Sequence, residues 1–225
     1  MKLLLDTADV NAIREMDSYL NIDGVTTNPK ILAAAGRPPF EVLHEIRDLI
    51  GPDRELHVQA IARDCEGILA DSARIRAELG ENTFTKVAVT SEGLKAIRAI
   101  KAEGHNVLGT AIYNTLQAWL AGRAGADYVA PYVNRIDNLE MDGCEVAMDI
   151  HDVFQNNGIT TKVMAASFKN VRQLLTLVRY GLGAATVDPA VLKAAIDRLV
   201  VDDALKGFEA NFAGLVGEGR TLADL

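Results

Sequence analysis

The chain is poor in the features that would tie it to several common functions. Its 225 residues include only two cysteines, Cys65 and Cys144, far apart and without ligand-like spacing. They read as free thiols in a reducing cytoplasm. The four histidines, His44, His57, His105 and His151, are dispersed, so the clustered imidazoles of a metal-dependent lyase are missing. Basic residues number 23 against 31 acidic ones, a formal charge of −8; a nucleic-acid partner calls for the opposite balance. No apolar run approaches the ~20 residues that cross a bilayer. The N-terminal apolar stretch meets Asp6 too soon for a signal peptide. A Gly-rich dinucleotide loop is lacking too. These absences lead us to expect a cytoplasmic protein with neither a membrane nor a nucleic acid among its partners.

What is present is ordinary for a globular protein: 49% hydrophobic and 24% charged residues. The length fits one large α/β domain. Short β-like runs alternate with amphipathic helical segments, without a break in composition that would mark a linker. The runs are Lys2–Asp6, Gly24–Asn28, Leu56–Ile61, Thr83–Thr90, Val107–Ile112, Tyr128–Val133, Lys162–Ser167 and Ala184–Asp188. Among the helical segments, Val171, Leu174, Leu175 and Val178 form an i, i+3, i+4, i+7 stripe, and Leu116, Trp119 and Leu120 share another. Asp188-Pro189 reads as an N-cap followed by proline at the first helical position. Eight strand–helix units predict a (β/α)8 TIM barrel over residues 1–201, with a doubly wound open sheet as the structural alternative. Residues 202–225 are left over. Their helix, Asp202–Leu215, carries Leu205, Phe208, Phe212 and Leu215 on one stripe. Such a stripe either caps its own barrel or packs on a neighbouring subunit, making a homo-oligomer.

The fourth run holds the most informative residue. Side chains alternate along a strand, so Thr85, Val87 and Val89 share one face while Phe84, Lys86, Ala88 and Thr90 share the other. An isolated strand lysine usually snorkels to water. Here the inward face would bury the amine between an aromatic ring and a small alanine. Burial disfavours the charged form, and the free amine is a nucleophile toward carbonyls. In a TIM barrel the reacting groups gather at the C-terminal strand ends. Those ends carry Asp6, Asn28, Gln59, Thr110, Tyr132, Asn134, Arg135 and Ser167, and in strands one, three and six the polar tip falls opposite the apolar outer set. The expectation is one polar pocket around Lys86. Tyr132, Gln59 and Thr110 suit a catalytic water, with Tyr132 as the titrating member. Asp6 and Asn28 suit sugar hydroxyls near the bond being cleaved, Asp9 being the more natural cap of the first helix. Arg135 and Ser167, with Lys169 close by, suit a phosphate. Singly, each residue also has a structural explanation: Tyr132 as a core ring, Arg135 as a surface ion-pair partner, His57 as a core histidine.

The motifs resemble one family. Asp6 after a Leu-rich strand, Gly24-Val25-Thr26-Thr27-Asn28-Pro29, Lys86-Val87-Ala88-Val89-Thr90 and Gly109-Thr110-Ala111 are similar to transaldolase-family segments. So are Ala130-Pro131-Tyr132-Val133-Asn134-Arg135-Ile136-Asp137 and Ala165-Ala166-Ser167-Phe168-Lys169. The resemblance runs from strand one through strand seven, and its specificity lies in the combination. It implies a class I (Schiff-base) mechanism on fructose 6-phosphate-like ketoses, with no metal and no organic cofactor. It implies that Lys86 is the Schiff-base lysine, that Asp6, Thr26, Asn28, Asn134, Thr110 and Ser167 belong to the site, and that Arg135 and Lys169 lie near the phosphate. The short subgroup resembling fructose-6-phosphate aldolase carries Gln and Tyr where larger transaldolases have Glu and Phe. Gln59 and Tyr132 therefore imply release of dihydroxyacetone and glyceraldehyde 3-phosphate. Ala88, where those aldolases usually have proline, departs from the pattern. The alternative is a transaldolase passing a dihydroxyacetone unit between ketose and aldose phosphates, such as sedoheptulose 7-phosphate and erythrose 4-phosphate in the pentose phosphate pathway. By the same resemblance the assembly would be a pentamer or decamer, its C-terminal helix crossing to a neighbour.

Overall fold

The computed structural model describes residues 1–225. Strand β1 (Lys2–Asp6) leads to helix α1 (Val10–Asp17), and β2 (Gly24–Thr26) to a short α2 (Pro29–Ala34) and a longer α3 (Pro39–Ile50). Then come β3 (Glu55–Gln59), α4 (Cys65–Leu79), β4 (Thr83–Ala88), α5 (Ser91–Ala102), β5 (Val107–Ile112) and α6 (Thr115–Arg123). β6 (Tyr128–Pro131) is followed by α7 (Val133–Asp137) and α8 (Gly143–Asn156), β7 (Lys162–Ala165) by α9 (Val171–Tyr180), and β8 (Ala184–Val187) by α10 (Pro189–Ile196) and α11 (Leu199–Val216). All strands pair in parallel, and β1 pairs with both β2 and β8, so the sheet closes on itself. The expected (β/α)8 barrel with an extra C-terminal helix is the fold. No helix is long and apolar enough to cross a membrane.

Strand parity decides what goes where. Outward residues such as Leu5, Val25, Leu56, Val87, Val107 and Val129 join the large core between sheet and helices. Inward residues Leu4, Phe84, Leu108, Tyr128, Ala130 and Met164 fill the barrel itself. Thr85 faces outward as predicted, and its hydroxyl meets that of Ser72 on α4 at 2.8 Å.

Several elements differ from the sequence reading. β2, β3, β4, β6, β7 and β8 all end earlier than predicted, because Asn28, Thr90, Tyr132 and Asp188 become helix caps and the residues after Gln59 and Ala165 turn into loops. The short helices α2 and α7 have too few apolar positions to announce themselves by periodicity. α6 buries Ala118 and Ala121 while Leu116 and Leu120 are exposed, and Ala121 packs closely over Gly109 of β5. On α9 the inward pair is Leu174 and Leu177, with Leu175 and Val178 exposed. The last helix begins at Leu199 rather than Asp202, which moves the boundary placed at residue 201 into the helix. It buries no residue of its own; Phe208 and Leu215 are 68% and 82% exposed.

The polar interior at the N-terminal end of the barrel is a hydrogen-bonded network around Glu55, with His57 Nδ1 left unpaired. Glu55 accepts from His57 Nε2 at 3.0 Å and from the Tyr128 hydroxyl at 3.1 Å, and pairs with Lys2. His57 stacks on Phe84 with ring centroids 4.4 Å apart. Burial opposes ionisation of Glu55, yet the His57 and Lys2 hydrogen bonds hold its carboxyl down at about 2. Burial pushes the His57 imidazole down to about 4. A neutral histidine locked at that end belongs to the core, as the sequence reading had it.

Close backbone contact between β2 and β3 depends on Gly24, where an added Cβ would meet the Glu55 carbonyl oxygen at 2.1 Å. Gly24→Ala should destabilise the protein by about 1–3 kcal/mol. Urea unfolding measures the loss; a wild-type midpoint would contradict the packing of β2 on β3.

Candidate active site

Lys86 lies inside the barrel at 5% exposure. Its strand neighbours are Gln59 on β3 and Leu108 on β5. The amine donates to the Thr27 backbone carbonyl at 2.7 Å, a neutral acceptor rather than a carboxylate. Burial therefore lowers its pKa below the ordinary 10.5, with Asp6 pulling the other way. An uncharged amine can spend one hydrogen on Thr27 and still keep its lone pair free.

A cavity of about 260 Å³ opens from Lys86 toward the C-terminal strand ends. That size lies just below the range of about 300–1,000 Å³ for small-molecule pockets. Among the predicted residues, Asp6, Thr26, Asn28, Tyr132, Arg135, Ser167 and Lys169 line it beside Lys86. Asp6 is held by the Thr26 hydroxyl at 2.8 Å. Burial raises its pKa, opposed by Lys86 and by that hydrogen bond. Asp9, not Asp6, caps α1, accepting from Asn11 and Ala12. Asn28 caps α2 with its carbonyl oxygen on the Ile31 N–H at 3.1 Å, which leaves its amide hydrogens for other partners.

Thr110 lies outside the lining but meets the Tyr132 hydroxyl at 2.8 Å. The β5–β6 register shifts between Gly109 and Ile112, and Ala111 is left-handed at φ 59°. Such an irregularity re-aims side chains at a strand end. The Arg135 guanidinium sits over the Tyr132 ring, 4.5 Å from its centroid, and donates to the Tyr113 hydroxyl. That hydrogen bond raises the Arg135 pKa, keeping it a permanent cation. Ser167 is left-handed at φ 63°, a conformation that costs a non-glycine residue energy and concentrates at ligand sites. The loop beyond it is pinned: Gln173 Oε1 accepts the Lys169 N–H at 2.8 Å, and Gln173 Nε2 donates to Asp137 at 2.5 Å.

Two further predicted residues fall outside the lining. Gln59 stands next to Lys86 in register but lines an adjoining cavity with Pro29 and Ala88. Asn134 sits on α7, its N–H bonded to the Ser167 carbonyl at 3.1 Å, outside the lining. Three polar lining residues were missed: Lys30, Thr186 and Asp188. For Thr186 the signal was available, because alternation along β8 puts it on the inward face. A separate cavity of about 610 Å³ at the opposite barrel end, bounded by Lys101, Asp127 and Lys162, holds no predicted site residue.

Residues 3–219 match the family model described as Transaldolase/Fructose-6-phosphate aldolase. The chain belongs to this family. A Streptococcus pneumoniae protein named probable fructose-6-phosphate aldolase is 39% identical over 92% of this chain and 94% of its own. A Ruegeria protein named probable transaldolase is 36% identical over 94% and 96%. Among solved structures, one described as "Native KDPGal structure" aligns with a TM-score of 0.56 at 16% identity, over 83% of this chain and 82% of that one. At that identity the likeness speaks for the fold. Membership makes the chain an enzyme of the aldolase/transaldolase kind, and the two relatives divide between the two reactions.

The burial of Lys86 has a thermodynamic signature. With its folded-state pKa depressed, the unfolded chain binds more protons between that value and 10.5, so stability rises with pH across the window. Lys86→Met should lack this rise and be at least as stable as the parent at about pH 7. Urea midpoints at about pH 7 and 9.5 decide; parallel shifts in both proteins would contradict a desolvated amine.

Proposed function

We propose that the protein is a class I aldolase that cleaves or forms fructose 6-phosphate from dihydroxyacetone and glyceraldehyde 3-phosphate. The observation that carries the reading is the Lys86 amine: buried, bound to a neutral carbonyl, and facing a cavity rimmed by a carboxylate, a phenol and cations. Lys86 adds to the C2 carbonyl, and loss of water gives an iminium ion. The C3–C4 bonding pair flows into that iminium, leaving an enamine on Lys86 and freeing the aldehyde. Asp6 takes the proton of the 4-hydroxyl as the bond breaks; its raised pKa suits a proton acceptor. Protonation of the enamine and hydrolysis of the iminium release dihydroxyacetone. Tyr132, oriented by Thr110, moves protons for dehydration and hydrolysis through a water, and Gln59 helps hold that water. Thr26 and Asn28 orient substrate hydroxyls, and Asn134 supports the phosphate loop through its bond to Ser167. Arg135, Ser167 and Lys169 receive the phosphate. No organic cofactor or metal enters these steps.

Transaldolase action is the second reading, favoured by the Ruegeria relative of nearly equal similarity. It differs only in the enamine's fate: attack on an aldose phosphate replaces protonation. We further infer that residues 1–198 form the catalytic barrel and that α11 with the tail packs on a neighbouring copy in a pentamer or decamer. The exposed Leu205, Phe208 and Leu215 support this. The unpaired Cys65 and Cys144 suit a cytoplasmic setting.

Borohydride with dihydroxyacetone should attach a three-carbon unit at Lys86, read by peptide mass, and Lys86→Met should abolish both label and turnover. Fructose 6-phosphate should be cleaved without added erythrose 4-phosphate; strict dependence on that acceptor would make the enzyme a transaldolase. Tyr132→Phe should lower cleavage by about 100-fold or more and shift the balance toward transfer. An unchanged ratio would remove Tyr132 from the proton path.

A further inference from the structure

Asp6 is the end of a longer chain of hydrogen bonds. Its Oδ1 accepts the Thr26 hydroxyl at 2.8 Å, and the same Thr26 oxygen lies 2.6 Å from the Thr186 hydroxyl. Thr26 stands on β2 and Thr186 on β8, strands that flank β1 from opposite sides. The two hydroxyls therefore meet across the inner face of β1, beneath the carboxylate that ends it. Thr186 is buried at 2% exposure and lines the Lys86 cavity.

Counting hydrogens fixes the direction of this chain. A hydroxyl owns one hydrogen and two lone pairs, and a carboxylate only accepts. With Asp6 ionised, the Thr26 hydrogen is committed to Oδ1. The 2.6 Å contact must then be closed by the hydrogen of Thr186. Donation runs Thr186 to Thr26 to Asp6, each link polarising the next. When Asp6 takes up a proton, the same three oxygens can be bridged in reverse order, from Asp6 through Thr26 to Thr186.

We propose that Thr186 is a positioning residue for the aldol reaction: acting through Thr26, its hydroxyl holds Oδ1 of Asp6, stabilises the carboxylate, and leaves Oδ2 for the substrate hydroxyl. The inference rests on the reading of Asp6 as the proton acceptor. Thr186 itself needs no contact with the reacting atoms. The other charged groups facing Asp6 are Lys86 from β4, Arg135 from α7 and Asp188 after β8. Lys86 and Arg135 favour the carboxylate; Asp188 and burial oppose it. The relay adds to the favourable side without adding charge. Losing it should raise the pKa of Asp6 and move the rising limb of the rate profile, where Asp6 loses its proton, to higher pH.

The test uses the full-length enzyme with fructose 6-phosphate and follows kcat and KM across pH. Valine matches threonine in shape but has no hydroxyl, so Thr186→Val isolates the hydrogen bond from packing. It should lower kcat by about 3- to 10-fold, the loss expected for one hydrogen bond. KM should change by less than about 2-fold, the rising limb should move to higher pH, and Thr186→Ser should restore both. Added to Thr26→Val, the Thr186 substitution should cost nothing further. Wild-type kcat and pH limb in Thr186→Val, or losses that multiply in the double variant, would overturn the relay. Should the valine variant not be recovered folded, Thr186→Ala against Thr186→Ser makes the same comparison. Borohydride labelling with dihydroxyacetone separates the levels. A wild-type enzyme that is labelled at Lys86, with an unaffected Thr186→Val, defeats the relay alone; a wild-type enzyme that neither labels nor cleaves defeats the aldolase reading beneath it.

Discussion

Desolvation of one amine is the constraint on which the site depends. A lysine at an inward position of a barrel strand has two ways to avoid the cost of burying charge: reach water, or give up its proton. Lys86 is too deep for the first, and its hydrogen bond goes to the Thr27 carbonyl rather than to a carboxylate that would keep it charged. Asp6 resists the depression of its pKa without cancelling it. The same burial acts in the opposite sense on Asp6, raising its pKa. One low-dielectric pocket thus draws an amine and a carboxyl toward each other's protonation range, which is how a fold performs acid–base chemistry near neutral pH.

The two ends of the barrel use polar residues differently. At the N-terminal end Glu55 is saturated by His57, Tyr128 and Lys2, and its charge is fixed. At the C-terminal end Asp6, Tyr132 and Arg135 line an open cavity and retain hydrogen-bonding capacity. Saturated polar pairing occupies one end and open hydrogen-bonding capacity the other, the end at which this fold gathers its active sites.

Much of this was legible in the chain. The alternation that puts Lys86 and Phe84 inward and Thr85 and Val87 outward holds in the structure, as do the closed barrel and the Asp9 and Asp188 caps. What failed to show was set by tertiary contact. Ser167 lies in the left-handed region because its loop is tied to α7 through Asn134. α6 turns its small residues inward and seats Ala121 against Gly109, where an added Cβ would meet the Ala121 Cβ at 3.1 Å. Gln59 is adjacent to Lys86 in register yet faces the neighbouring cavity, a matter of side-chain direction that strand parity does not decide.

The central claim concerns a protonation state, and NMR can observe it. With 13C-labelled lysine, the Cε resonance of Lys86, assigned by its loss in Lys86→Met, can be followed upward from neutral pH. A midpoint well below 10.5, apart from the surface lysines, is the predicted result. A Lys86 that titrates with those lysines or above them would contradict the desolvated amine and the covalent chemistry built on it.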